Sequence, residues 1–397
     1  MQLTVTENCN HQKNEVYFMK KAMCLLMFIL CCGLQLLAAP QTELNMREYI
    51  QKYGKPGDDT EAFRQAVQEI QRKRLRYLHL PAGSYYLTDT IDLSALANGE
   101  IRGDGYPEII MKDENKDIFI FNSAWKLKIE GLSFHGGKNQ LQLSNNNTDR
   151  TNIIISNCKF QKAGEFAIKF GREMVSAHVL IDACSFYSNR QVLQSTGDWV
   201  RLSNSWITTS PKMFDQAAIV NYGCLTIDHV LGVPLVKTPR AQTKQRWIDN
   251  YGLKLTCRDT RFGGEGGGLP IIYNYRAFRW KYPVVPSSIL LTDCWIYCAG
   301  TQVIRFFEIP NNVTIDTCTG LIDTRMFLVE PSANLEYLEK NPARIKRLIL
   351  FRVNDTDATM QSVLPGILKN AVYGGDIKFS ETKGKPAKAE STGKAGK

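Results

Sequence analysis

Leu127-Lys-Ile-Glu-Gly-Leu132 returns in altered form seven times, as Ile153-Ile-Ile-Ser-Asn-Cys158, Val179-Leu-Ile-Asp-Ala-Cys184, Val200-Arg-Leu-Ser-Asn-Ser205, Leu225-Thr-Ile-Asp-His-Val230, Leu253-Lys-Leu-Thr-Cys-Arg258, Ile289-Leu-Leu-Thr-Asp-Cys294 and Val313-Thr-Ile-Asp-Thr-Cys318. Successive copies start 26, 26, 21, 25, 28, 36 and 24 residues apart. Each copy places apolar residues two apart, the period of a strand, then a polar pair suited to a tight turn, then a small or apolar residue. One copy cannot bury its own apolar face. Stacked copies can, because equivalent residues then lie about 4.8 Å apart and form ladders. The expected ladder is Ile129, Ile155, Ile181, Leu202, Ile227, Leu255, Leu291 and Ile315. No helical segment separates the copies and the asparagine and leucine signature of leucine-rich repeats is missing, so the fold class is all-β, a parallel β-solenoid.

The cysteines fit this reading. Four of the eleven precede residue 40, and Cys158, Cys184, Cys224, Cys257, Cys294, Cys298 and Cys318 are odd in number and scattered, which is no disulfide framework. Those at the end of the motif read as small inward-facing hydrophobes rather than metal or redox groups.

The two ends stand apart from the repeats. Lys20-Lys21, the apolar run Ala22 to Leu37 and Ala38-Ala39 read as a secretory signal starting at Met19, with residues 1 to 18 an upstream extension. A periplasmic or secreted protein follows, with cleavage near Ala38 or Ala39. Bulky Phe28-Ile29-Leu30 before Cys31 and Cys32 argues against a lipid anchor, and no other stretch is long and apolar enough to span a bilayer. Residues 376–397 are a Lys- and Gly-rich tail that cannot pack a core. Of the net charge of +10, the leader and the last 17 residues carry +4, leaving +6 on the folded part. That surplus suits a polyanionic partner. Nucleic acid has no support beyond charge, since zinc-ligand spacing, P-loop and RNA-binding motifs are all missing.

Residues 40–74 change period. Phe63, Ala66, Val67 and Ile70 share one helical face over Glu61 to Arg72, and Asp58 with Glu61 makes a capping box, so the paired Asp58-Asp59 reads as helix capping rather than catalysis. A solenoid needs an end cap, and this helix supplies it for a body over 75–375. Tyr53-Gly-Lys-Pro-Gly-Asp-Asp-Thr-Glu-Ala-Phe-Arg-Gln-Ala-Val67, with Leu80-Pro-Ala-Gly-Ser-Tyr85 and Ile101-Arg-Gly-Asp-Gly105, resembles the entry segment of the pectate-lyase-like superfamily, which includes pectate lyases, polygalacturonases, rhamnogalacturonases and phage tailspike depolymerases. With the repeats, the resemblance covers roughly residues 44–330. It implies a right-handed parallel β-helix and a carbohydrate polymer bound along the outside of one sheet. The Gly-His-Gly and second Asp-Asp pair of polygalacturonases are absent. Asp228-His229 looks like the Ile-Asp-His of pectate lyases but falls on the repeat, and reads as part of it.

A second short strand is expected in each coil: Phe166 to Phe170, Val192 to Gln194, Ala218 to Asn221, Leu235 to Lys237, Ile271 to Arg276, Val303 to Phe306 and Arg325 to Phe327. Strand alternation turns Lys169, Gln194, Val220, Lys237, Tyr273 and Arg305 outward, with Arg240, Tyr275, Arg276, Trp280 and Arg325 close by. A column of cations and rings with no acid suits an acidic polysaccharide, carboxylates meeting the cations and sugar faces stacking on the rings. The expected reaction is β-elimination on a uronate polymer, by a monomer without a cofactor: Arg276 and Arg305 neutralise the carboxylate, Lys237 is the base, and Tyr273 or Tyr275 returns the proton. Lys169, Arg240, Tyr275, Trp280 and Arg325 would bind substrate. No metal ligands are assigned, and a calcium requirement has no support in the residues. Gly263-Gly-Glu-Gly-Gly-Gly268 is expected to be a flexible loop over the groove. The alternatives are a hydrolase using two of Asp215, Glu265, Glu308 and Asp323, and a non-catalytic glycan-binding module.

Overall fold

The computed structural model describes residues 43–144, 151–171, 174, 177–209, 216–233, 245–263, 269–275, 287–298, 302–308, 310, 312–322, 325–329, 344–346, 348–352, 372–374 and 378–381. Residues 1–39, read above as a secretory signal with an upstream extension, lie outside these residues. Three sheets of 13, 12 and 10 strands are recorded, and every strand pairing in them is parallel. From Tyr77–Leu80 to Arg325–Val329 each coil contributes one strand to each sheet in turn, so the chain winds as a right-handed parallel β-helix. The repeats mark the strands of the first sheet, such as Lys126–Glu130, Thr151–Ser156 and Ala177–Asp182. A coil carries three strands rather than two. The extra ones, such as Lys159–Gln161 and Ser185–Asn189, form the second sheet. The expected column belongs to the third.

The polar pair of each repeat turns the chain by one left-handed residue. Gly131, Asn157, Ala183, Asn204, His229, Asp259, Asp293 and Thr317 all have φ between 43° and 71°. Each amide of this series through Asp293 donates to a carbonyl of the next coil, as from Asn157 to Asp182 at 3.1 Å and from His229 to Arg258 at 3.1 Å. The bend is therefore stacked along with the strands. His229 occupies this turn position, so Asp228-His229 belongs to the repeat. The residue after the bend faces inward, and Cys158, Cys184, Cys294 and Cys318 are buried there. Their thiols lie against carbonyls two residues back, at 3.2 to 3.4 Å.

One copy sits two residues from its expected place. Leu255 pairs with Leu225 and Ile289, and Cys257 takes the central ladder between Ile227 and Leu291. The copy therefore begins at Leu255, and Thr260, buried, fills the column after the bend.

The cap is made of two helices, α1 (Met46–Tyr53) and α2 (Thr60–Lys73). Only the second was expected. In α2 the apolar face of Phe63, Ala66 and Ile70 is buried, and Val67 packs beside it. Phe63 meets Tyr85 edge-on at 5.9 Å and lies 5.8 Å from Phe119, which leads into the internal ring stack Phe134, Phe160 and Phe186 at 5.2 and 5.1 Å. The start of the helix departs from a capping box. Asp59 is the N-cap and spends its carboxylate on the Tyr86 amide at 2.8 Å, while Asp58 accepts from the Thr60 amide at 3.0 Å. Both acids are thus structural.

Farther on, the sequence from Glu336 to Arg347 reads as a short helix, but Arg344–Lys346 is a strand of the first sheet, which removes the C-terminal end of that helix. Lys378–Glu381 continues the second sheet beyond residue 375.

Candidate functional site

Parallel register fixes the outward column of the third sheet. It runs Gln142, Lys169, Gln194, Val220, Asp249, Tyr273, Arg305, each opposite the next. The strand expected at Leu235 to Lys237 is instead Arg246–Asn250, so Asp249 holds the place assigned to Lys237 and the column does contain an acid. Lys237, Arg240, Arg276 and Trp280 lie outside the described residues, as do Asp215, Asp323 and Glu265 with most of its glycine loop. Arg325 opens the strand Arg325–Val329 opposite Gln302.

The acid is not available to substrate. Asp249 takes a two-pronged contact from Arg246, Nε and Nη2 each 2.5 Å from a carboxylate oxygen, with 8% and 12% of the two side chains exposed. Burial disfavours both charges. It pushes the Asp249 carboxyl up, while the carboxylate holds Arg246 protonated against the same burial. The guanidinium also lies 5.0 Å from the Tyr273 ring centre.

Around this pair the structure builds a cluster of rings and cations. Arg305 approaches Tyr273 from the next coil, its Cζ 5.3 Å from that ring and its Nη1 3.5 Å from the hydroxyl, and lies 5.0 Å from the Phe307 ring. Tyr222, Tyr251, Tyr275 and Phe307 stack in sequence at 5.2, 4.5 and 4.6 Å, with planes within 17°. Burial, and then the Asp249 carboxylate, push the Tyr275 hydroxyl up, so it keeps its proton at neutral pH.

Beneath the rings runs a buried amide ladder. Asn221 Nδ2 donates to Asn250 Oδ1 at 2.8 Å, Asn250 Nδ2 to Asn274 Oδ1 at 2.7 Å, and Asn274 Nδ2 to the Glu308 carbonyl at 2.7 Å. All three asparagines are fully buried and end their strands. A side-chain amide carries one acceptor and two donors, so it can pass hydrogen bonds from coil to coil while its remaining groups serve the turn. The sequence does carry this signal: Asn221-Tyr222, Asn250-Tyr251 and Asn274-Tyr275 repeat one dipeptide. It identifies Arg246–Asn250 as the missing strand.

Of the expected residues, Tyr273, Tyr275 and Arg305 come together. Lys169 keeps its place in the column but stands four coils from Tyr273, about 19 Å at the usual strand spacing. It pairs with Glu165 at 3.0 Å. Glu308 contributes its backbone to the amide ladder. No group of three or more metal-ligating side chains occurs among the described residues, and no helix there is long and apolar enough to cross a membrane.

No family model matches the chain, and no curated protein matches it. Solved structures similar to it include ORF18 of Geobacillus virus E2, 12% identical with a TM-score of 0.41 over 88% of this chain and 62% of that one. The catalytic unit of a thermostable GH87 alpha-1,3-glucanase from Streptomyces thermodiastaticus is 11% identical with a TM-score of 0.46, over 87% and 69% of the two chains. An endo-xylogalacturonan hydrolase from Aspergillus tubingensis is 12% identical with a TM-score of 0.31, over 77% and 84%. The chain thus spans less than two thirds of the length of the first of these.

Proposed function

We propose that the protein is exported and cleaves an acidic, uronate-containing polysaccharide by β-elimination on the outer face of the third sheet. The observation that carries this is the state of the acid in the column. A hydrolase needs two carboxyls flanking the scissile bond, one of them free to give up a proton. Asp249 is buried and bound by Arg246 through both oxygens. What the described residues of the face offer are a guanidinium and phenol hydroxyls among stacked rings, which suits anion binding and proton return.

In this reading Arg305 meets the uronate carboxylate and stabilises the negative charge that builds up as the neighbouring C–H bond breaks. A base takes that proton, the C–O bond to the leaving sugar breaks, a C=C bond forms, and a tyrosine hydroxyl gives the leaving oxygen a proton. Tyr273, with its hydroxyl 3.5 Å from Arg305, is the donor. Tyr275 lines the ring stack beside it and binds substrate. The base is assigned to Lys237 or Arg276, both outside the described residues. Lys169, Arg240, Trp280 and Arg325 extend the binding face.

The test is incubation with polygalacturonate, alginate, hyaluronan and heparan sulfate, following ultraviolet absorbance from the new double bond together with reducing ends. Both should rise on one of the four, and Arg305→Ala and Tyr273→Phe should each lower turnover about a hundredfold. New reducing ends without absorbance would establish hydrolysis and end this reading.

A further inference from the structure

A second face of the solenoid carries its own groove. Outside the first sheet lies a depression of about 450 Å³. That is within the usual range for ligand sites. Its floor is set by register: His178 lies opposite Trp199, and Leu180 opposite Arg201. The indole of Trp199 is 71% exposed, the most of any large hydrophobic side chain among the described residues, and it stacks on the His178 ring at 6.0 Å and 21°. A flat ring held in place by a neighbour and open to solvent on a strand presents a platform at low entropic cost.

The charges around it are fixed as well. Asp228, buried at the end of the strand Cys224–Asp228 and outside the lining, takes Nη2 of Arg201 at 2.5 Å and Nη2 of Arg258 at 3.3 Å. Each guanidinium has five donors in a rigid fork, so one anchor leaves a planar set directed elsewhere. With Lys254 the lining holds three cations against one acid, Asp198. Desolvation pushes the Asp198 carboxyl up, against the pull of His178. The groove therefore favours an anion beside an apolar ring face.

We propose that this groove is a second saccharide-binding site, which holds one acidic pyranose unit with its ring on Trp199 and its carboxylate on Arg201 and Arg258. It shares with the function proposed above only the class of polymer. Its role is to hold the chain on the enzyme, with no chemistry at the groove.

The test uses full-length protein already carrying Arg305→Ala and Tyr273→Phe, so that the third-sheet site is impaired. Hexasaccharides of galacturonate, mannuronate and hyaluronan are titrated by calorimetry, with neutral cellohexaose as control. At least one acidic hexasaccharide should bind, and adding Trp199→Ala or Arg201→Ala should weaken it about tenfold, as loss of an anchoring contact does. Trp199 contributes nothing to the core, so its variant stays folded. Unchanged affinity in both variants, equal binding of cellohexaose, or no binding of any acidic hexasaccharide would overturn the proposal. Absence of cleavage on any polymer by the parent protein, with Trp199-dependent binding retained, would remove the lyase reading and leave this one standing.

Discussion

The two ends of one column on the third sheet share backbone, register and spacing, yet differ in what they do with charge. In the earlier coils Gln142, Lys169, Gln194 and Val220 stand in line, and the one cation pairs locally with Glu165 while remaining partly exposed. Farther along, Asp249 and Arg246 are almost wholly buried, Tyr273 lies within 5.3 Å of two guanidinium carbons, and the amide ladder and ring stack lie alongside. A solenoid repeats its backbone, and the repeat is indifferent to what faces outward. Desolvated charge has to be supported locally, and in this column the support stands where asparagine ends the strand and tyrosine follows it.

The largest effect that separates the two ends should come from Arg246→Leu. It leaves the Asp249 carboxylate buried without its partner, a change that costs about 3–5 kcal/mol in such pairs. The urea midpoint should fall sharply. Adding Asp249→Leu should recover most of the loss, because two apolar side chains need no desolvation of charge. If the double variant were no better than the single one, the pair would matter by packing rather than charge.

Asn250→Ala comes next. It removes the middle rung of the ladder and takes the acceptor from one Asn221 N–H and from the Gly252 amide, while the Asn274 oxygen keeps the Ser287 hydroxyl at 3.3 Å, at about 1–3 kcal/mol for each buried group left unsatisfied. Gln194→Ala, in the earlier coils, loses one part-buried bond to the Phe170 carbonyl at 2.8 Å and should cost about 1 kcal/mol. Thermal unfolding of the two variants should keep that order. Equal losses would mean that the ladder is no stronger than an ordinary side-chain contact.

The fold was legible in the sequence because burial demands the same answer in every coil, and particular residues show where that stopped. The copy read from Leu253 was placed two residues early because Leu253, Leu255 and Cys257 alternate correctly in either frame. A slip of two keeps every side chain on its own face, so periodicity cannot detect it. Leu235 to Lys237 competes with Arg246–Asn250 in the sequence because both offer a central apolar residue followed by a charged one. The Asn-Tyr dipeptides decide between them, through a hydrogen-bond ladder that hydrophobic patterning does not register. The buried ion pair was beyond reach for a related reason: nothing in Arg246-Trp-Ile-Asp249 says that both charged groups will be covered. The second cap helix escaped because α1 has only eight residues and buries only Met46 fully.

The smallest effect is expected at Lys169, and it sharpens the contrast most cleanly. Its ammonium sits 3.0 Å from Glu165, but 24% and 33% of the two side chains remain in solvent, where water and salt screen the attraction and ordering two long chains offsets much of it. Lys169→Ala should therefore shift stability by about 0.5 kcal/mol or less, and about 1 M sodium chloride should erase even that. The Arg246→Leu deficit should persist at the same salt, since the buried pair is shielded from ions. Turnover on the cleaved polymer should stay within about threefold of the parent for Lys169→Ala, because the residue stands about 19 Å from Tyr273. A hundredfold loss would show that the reacting sugar lies in the earlier coils, and the assignment of chemistry to the later ones would have to be reversed.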